Sequence, residues 1–559
     1  MAGENQRARE RFDLIVIGGG VNGTGIARDA AMRGLAVLLV EKRDFAAGSS
    51  GANSGMIHGG LRYLNADPEV TRLACIDSGY IQRIAPHLLF RIPFIYPVPR
   101  RADSAAGRLG ERAYFYAAEC YFEAYDRYQP LKNGKRHTRL SPDETLALEP
   151  GIVPGIHGAI TMDEYGIDPF RLCALNARSA AEHGAVVKNH VEVTRFLRGD
   201  GGAVVGVSLR HTRSGAREDY FGSVIFNTGG PWAPRIAAMA GVQVRIRAGK
   251  GVHLTLDRRL SNYGVLSTAV DGRQIFVMPH ENSSIIGTTD DDFYGDPDDL
   301  RVTEDEVAYL LEGVANVFPR VREARILRAW AGIRPTLYGY GKMEDALSRE
   351  HQIIDHTSEG APGFMTMVGG KLASYRAMSE EATDAVVRRL KRSVGLCRTH
   401  EVPLAGGAAA APPVLELARD FDVPAHAAVR AAYRYGSDAP KVLAIAAEEP
   451  ALAATVCGCE GVTGAELVHC VRNEFAEHLT DLRRRCRLAM GECQGLRCIA
   501  PAAAILAQER RLSADETRGE IVELAAERWK GQRPVAEHGG LAQLELTVQT
   551  LANAGRPRA

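Results

Sequence analysis

The sequence predicts an α/β chain with a mostly helical C-terminal portion. Three observations carry this: an apolar run that ends in glycines and passes into helical spacing, alternating strand and helix signals over the next several hundred residues, and purely helical spacing after residue 413.

Residues 12–17 (FDLIVI) are apolar without alternation, the mark of a strand covered on both faces. Residues 21–34 have helical spacing, and a second strand, 36–40, ends at Glu41. Between the first strand and the helix, Gly18, Gly20 and Gly23 form GxGxxG, which lets the backbone turn tightly and brings a pyrophosphate onto the amide end of the helix. Glu41 is placed to bind ribose hydroxyls. This fingerprint is shared by NAD and FAD sites. Residues 204–209, 223–227, 274–277 and 284–287 read as later strands. NTGGPWA (227–233) ends a strand in glycines, and VGGKLASYR (368–376) opens a helix with Gly369 and Gly370. Contributions scattered this widely suit a long FAD better than NAD. Residues 405–413 (AGGAAAAPP) cannot build a core and read as a linker. Helices are expected beyond it at 425–435, 441–449, 464–474 and 481–490.

The 559 residues suffice for about three to four domains. Lys+Arg and Asp+Glu are both 68, so no global field draws the chain to nucleic acid, and none is expected as a partner. No apolar stretch approaches the roughly eighteen residues of a membrane span, so any membrane contact is peripheral. The polar N-terminus lacks a signal-peptide pattern, and the expected location is the cytoplasm. Disulfides are disfavoured there, so clustered cysteines point to metal or redox work. Cys457 and Cys459 form CxC, and Cys493 and Cys498 form CxxxxC. Four thiolates can hold a [2Fe-2S] cluster, two per iron, or a structural zinc. Cys470 and Cys486 read as buried fillers, and DLRRRCR (481–487) as a solvated helix face.

RDFAAGSSGANSGMIHGGLRYL (43–64), SIIGTTDDDFYGDP (284–297), AGIRPT (331–336) and GGKLASYR (369–376) resemble the FAD-dependent glycerol-3-phosphate dehydrogenases, and the resemblance extends from about residue 12 to residue 529. It implies an FAD-binding Rossmann-like domain of the glutathione-reductase/D-amino-acid-oxidase type with an inserted α+β substrate domain. The divisions it suggests are an oxidoreductase domain at 1–400, a linker and helical segment at 401–450, a [2Fe-2S] domain at 451–505 and a helical tail at 506–559. FAD is then expected on Gly18, Gly20, Gly23, Glu41, Ser50, Ser54, His58, Gly59, Gly229, Gly370, Lys371 and Leu372. The substrate phosphate is expected on Arg62, Arg334 and Arg349, because a guanidinium grips two oxygens at once, with Tyr63 and Ser374 as hydroxyl donors. Lys371, beside flavin and substrate, would stabilise negative charge on the reduced ring. His253 is the candidate general base and His58 the second candidate.

CGCEGVTGAEL and RLAMGECQGLRC resemble the bacterioferritin-associated ferredoxin type of [2Fe-2S] module, which favours iron at the four cysteines. That module, with RYGSDAP and ERWKGQRPVA, is similar to the anaerobic branch of the family, in its catalytic large polypeptide. HGGLRYL and His253 are closer to the aerobic branch, in which a Lys commonly stands at the place of Gly55. The implied reaction converts sn-glycerol 3-phosphate to dihydroxyacetone phosphate. Electrons would pass to a quinone, directly or through other subunits, on the inner face of the cell membrane. Two alternatives stay open: an FAD-dependent dehydrogenase or oxidase of 2-hydroxy or amino acids, and a non-catalytic flavin and iron–sulfur redox protein.

Overall fold

The computed structural model describes residues 11–64, 67–100, 105–341, 350–537 and 539–553. The apolar run forms strand Arg11–Ile17, which pairs in parallel with Val37–Val40 on one side and Arg217–Asn227 on the other. It is thus central, as an unbroken apolar run requires. The helix behind it spans Val21–Met32 and stops where Gly34 takes φ +87°. Val186–Lys188 and Phe364–Gly369 extend this eight-stranded sheet in parallel, and His351–Asp355 pairs antiparallel at one edge. The strand expected at 223–227 begins at Arg217. Its first residues are exposed and polar and pair with Val204–His211, so apolar patterning misses them.

The chain leaves this sheet twice, at residues 89–167 and 246–337, and both excursions build a second, nine-stranded and mostly antiparallel sheet. This is the inserted α+β unit. The expected strands at 274–277 and 284–287 are the hairpin Gln274–His280 and Ser283–Gly287. The long strands Ile246–Leu256 and Ile326–Leu337 pair antiparallel in a register that sets His253 opposite Trp330 and Gly249 opposite Arg334.

The C-terminal portion is helical. Ala425–Tyr435 forms where expected, and Gly464–Asn473 starts at a Thr463/Glu466 capping box. The segment 441–449 instead ends its helix at Leu443 and tightens into a 3-10 turn, because beyond it only the partly buried Ile445 and Ala446 reach an apolar cluster. The helix expected at 481–490 is Leu479–Cys486, stopped by Arg487 in a left-handed conformation, φ +65°. At the start of the segment 405–413, Leu404 N–H donates to Ile84 O, and Ser437 N–H to Gly406 O. No helix among the described residues is long and apolar enough to cross a membrane.

The reading of DLRRRCR as a solvated face is corrected. Arg485 is fully buried and grips Asp44 through both terminal nitrogens at 2.9 and 2.6 Å, and Arg487 donates to Glu460 at 2.9 Å. Asp44 lies just beyond the strand Val37–Val40, so this pair fastens the helical portion to the first sheet. Removing one partner of a buried pair costs about 3–5 kcal/mol, since the other charge stays behind. Asp44→Ala is expected to lower the onset of thermal unfolding and to loosen the C-terminal portion first, which hydrogen exchange across 479–487 will read.

Candidate active site

A cavity of about 930 Å³ lies between the two sheets. Its near end is the glycine turn. Gly18 has φ +113°, and a Cβ there would meet Thr228 O at 2.7 Å, while a Cβ on Gly23 would overlap Gly18 O. Turn and helix therefore touch backbone to backbone, which only glycine allows. Gly20, Val21 and Asn22 present the helix N-terminus to the cavity, the usual seat of an anion. Ser50 Oγ accepts from Val21 N–H at 2.9 Å. Glu41 lines the cavity and is held in place by accepting from Gly19 N–H at 2.7 Å and Arg43 N–H at 2.8 Å. Gly229, Gly370 and Leu372 line the middle. A long channel whose close approaches only glycine permits, with a helix N-terminus at one end, fits an extended dinucleotide such as FAD.

Cationic groups also line this cavity. Arg334 lines the cavity and is aimed by Asp290 Oδ1 at 2.9 Å and Thr288 Oγ1 at 3.0 Å. Gly251 leaves room for it, since a Cβ there would sit 2.5 Å from Nη2. Lys371 turns its ammonium back from the start of a 3-10 turn to donate to Gly59 O at 2.8 Å, 4.8 Å from the centre of the Tyr63 ring. A Cβ on Gly60 would meet that ammonium at 2.6 Å. His58 and Tyr63 line the same cavity.

His253 is 1% exposed, stacked on Trp330 with centroids 5.3 Å apart, and its Nε2 lies 2.9 Å from Ser54 Oγ. Burial first, and Arg334 second, push its pKa down to about 3. The ring is neutral, and in this state it is a weaker base than a free imidazole.

Ser374 does not join this group. It is buried outside the cavity, with its hydroxyl on Lys371 O at 3.3 Å and Met378 Sδ at 3.5 Å. Gly59 acts through its carbonyl on Lys371 rather than by lining the cavity, and Gly23 acts by packing. Arg349 lies outside the described residues, as does the side chain of Arg62, whose backbone forms the turn Leu61–Tyr63. Gly55 has φ +65°, and a Cβ there would meet Ile167 O at 2.8 Å, so a Lys is excluded on this backbone.

Sequence reasoning missed several participants. Asp290 sits inside the GTTDDD motif, yet nothing local ties it to Arg334. Glu164 lines the cavity while buried on Lys132 at 2.6 Å and accepting from Tyr125 Oη at 2.7 Å. That network stands behind Gly59, whose missing Cβ would meet Tyr125 Oη.

The four cysteines form a second site. Cys457 pairs with Cys498, and Cys459 with Cys493. The Cys498 thiol and the Ala489 and Glu460 amides lower the Cys457 pKa to about 6, against burial, which raises it. Groups of three or more ligand atoms mutually within 4.8 Å occur among the described residues at Asp44–His190–Asp481 and Glu123–Asp126–His137, and the four cysteines do not make such a group. Cys470 and Cys486 are fully buried in the neighbouring core.

These features define a class, the FAD-dependent oxidoreductases built on two sheets. A family model described as "FAD dependent oxidoreductase" matches residues 13–376, and one described as "C-terminal domain of alpha-glycerophosphate oxidase" matches 397–517. The chain is 34% identical to a subunit of the anaerobic glycerol-3-phosphate dehydrogenase of Escherichia coli over 97% of this chain and 96% of that one. It is 33% identical to glycerol-3-phosphate dehydrogenase 2 of Mycobacterium tuberculosis over 89% and 85%. The FAD complex of the glycerol-3-phosphate dehydrogenase from Bacillus halodurans matches with a TM-score of 0.74 at 25% identity, covering 95% of this chain and 97% of that one. With these matches the chain belongs to the FAD-dependent glycerol-3-phosphate dehydrogenase family.

His253 shares its depressed pKa with His87 and His280, both lowered to about 4, chiefly by burial. Between pH 6.5 and about 4 the unfolded chain binds protons that the folded chain refuses, so stability falls as pH drops through that window. Each histidine adds a slope approaching about 1.4 kcal/mol per pH unit. Denaturant titrations at stepped pH are expected to show this loss, and His253→Gln is expected to make it shallower.

Proposed function

We propose that this protein oxidises sn-glycerol 3-phosphate to dihydroxyacetone phosphate and delivers the electrons, through a [2Fe-2S] centre on Cys457, Cys459, Cys493 and Cys498, to a quinone or a partner subunit. The observation that carries this reading is that Arg334, Lys371 and a buried neutral His253 line the same cavity as the glycine turn. FAD supplies the hydride acceptor and the iron–sulfur centre a one-electron carrier.

The chain's own groups then have definite tasks. Arg334, with Arg62 and Arg349, binds the phosphate dianion, and Asp290 and Thr288 hold its fork in orientation. His253 takes the proton of the substrate's secondary hydroxyl at Nε2, the atom now facing Ser54 Oγ. An arriving dianion offsets Arg334 and so raises the basicity of His253 when substrate is present. Lys371 holds positive charge where the cofactor ring gains electrons. The apolar walls Phe94, Met162, Leu266 and Phe276 keep water from the reacting carbon. The domain divisions at 400, 450 and 505, a cytoplasmic location and peripheral contact with the inner membrane face complete the reading.

Anaerobic mixing of the purified holoprotein with glycerol 3-phosphate is expected to bleach the flavin band. Arg334→Gln should lower kcat/KM by roughly ten- to a hundredfold, the loss of about 1.5–3 kcal/mol of charge-assisted hydrogen bonding. Bleaching by 2-hydroxy or amino acids but not by glycerol 3-phosphate would overturn the assignment.

A further inference from the structure

Behind the Lys371 ammonium lies a buried polar group that the reaction outlined above does not use. Lys132 closes the 3-10 turn Gln129–Lys132, Tyr125 ends the helix Ala105–Tyr125, and Glu164 stands on the strand Ile156–Ile167. All three are at most 1% exposed. Lys132 Nζ lies 2.6 Å from Glu164 Oε2 and donates to Asp163 O at 2.8 Å and to Tyr125 Oη at 3.2 Å, while Tyr125 Oη donates to Glu164 Oε1 at 2.7 Å. The tyrosine hydroxyl is therefore fixed from both sides, as acceptor and as donor.

That hydroxyl lies against Gly59. A Cβ on Gly59 would stand 2.5 Å from Tyr125 Oη and overlap the buried Cys75 Sγ, so this backbone is seated directly on the two side chains. The residues leading into it are tied to the strand that carries Glu164. Met56 pairs antiparallel with Gly166, Ile167 N–H donates to Gly55 O at 2.7 Å, and Ile57 N–H donates to Tyr165 O at 3.0 Å. The carbonyl of Gly59 in turn accepts from Lys371 Nζ at 2.8 Å. Contacts thus run from the ion pair through one hydroxyl and one peptide to a cation of the cavity wall. A buried ion pair is a weak source of stability, since apolar side chains of similar volume often replace it without loss. A working group that must be held to within about 0.5 Å does need a supporting layer of this kind.

Resting on the role given to Lys371 above, we propose that Lys132, Glu164 and Tyr125 are positioning residues that set the Gly59 carbonyl and, through it, fix the Lys371 ammonium in the cavity wall. A cation that slips from its place loses most where negative charge develops, in the transition state and the reduced cofactor. The loss then falls on kcat and on the flavin potential, while KM, governed by the phosphate contacts of Arg334, stays.

The test is an anaerobic dithionite titration of the purified full-length holoprotein against a reference dye, reading the flavin band, together with steady-state rates on glycerol 3-phosphate with an artificial acceptor. Tyr125→Phe removes the one hydroxyl and leaves the ion pair closed, and Lys132→Met combined with Glu164→Gln removes the pair without stranding a charge. Lys371→Met is expected to shift the two-electron equilibrium roughly tenfold against reduction, about 30 mV. Tyr125→Phe and the pair variant are expected to shift it roughly threefold or more in the same direction and to lower kcat roughly three- to tenfold at unchanged KM. In the Lys371→Met background neither adds a further shift, whereas a general loosening of the fold adds in both backgrounds. An unchanged potential in both Tyr125→Phe and the pair variant, or shifts that persist in full without Lys371, overturns the proposal alone. An unchanged potential in Lys371→Met overturns the role of Lys371, and the proposal with it.

Discussion

A guanidinium withdrawn from water must meet an anion or lose several kcal/mol, and much of this fold is organised by how that demand is met. Arg485 reaches Asp44 across 441 positions of sequence and so joins the helical portion to the first sheet. Arg171 reaches Glu474 in the same way. Arg334 is held in the cavity wall by Asp290, Thr288 Oγ1 and Thr289 O.

The cavity owes its position to the two sheets. The first supplies the glycine turn and the helix N-terminus, both dictated by a central parallel strand. The second supplies His253 and Arg334 on two paired strands whose register sets their spacing. Lys371 comes from the first sheet's last parallel strand and bonds to Gly59, so the two ends of the oxidoreductase part close on each other. Glycines at 60 and 251 make the approach of both cations possible.

The strands Arg11–Ile17 and Val37–Val40 were legible because they are apolar runs, and the glycine turn because its spacing is local, whereas the half-exposed Val186–Lys188 and His351–Asp355 carry no such run. His253, Arg334 and Lys371 were singled out by motif resemblance, and all three line one cavity. Their partners were not. Asp290 for Arg334, Ser54 for His253 and Gly59 for Lys371 are long-range meetings that no periodicity encodes. DLRRRCR misled for the same reason: an arginine-rich helix reads as solvated until Asp44 and Glu460 are seen against it. Ser374 misled in the opposite direction, since its motif is at the cavity while its hydroxyl turns onto Met378.

The most direct measurement is a crystal structure of the holoprotein grown anaerobically with dihydroxyacetone phosphate. The account predicts the phosphate on Arg334 with Arg62 and Arg349, the carbonyl oxygen within hydrogen-bond reach of His253 Nε2, and Lys371 at the cofactor ring. A phosphate seated away from Arg334, with His253 facing no ligand atom, would contradict it.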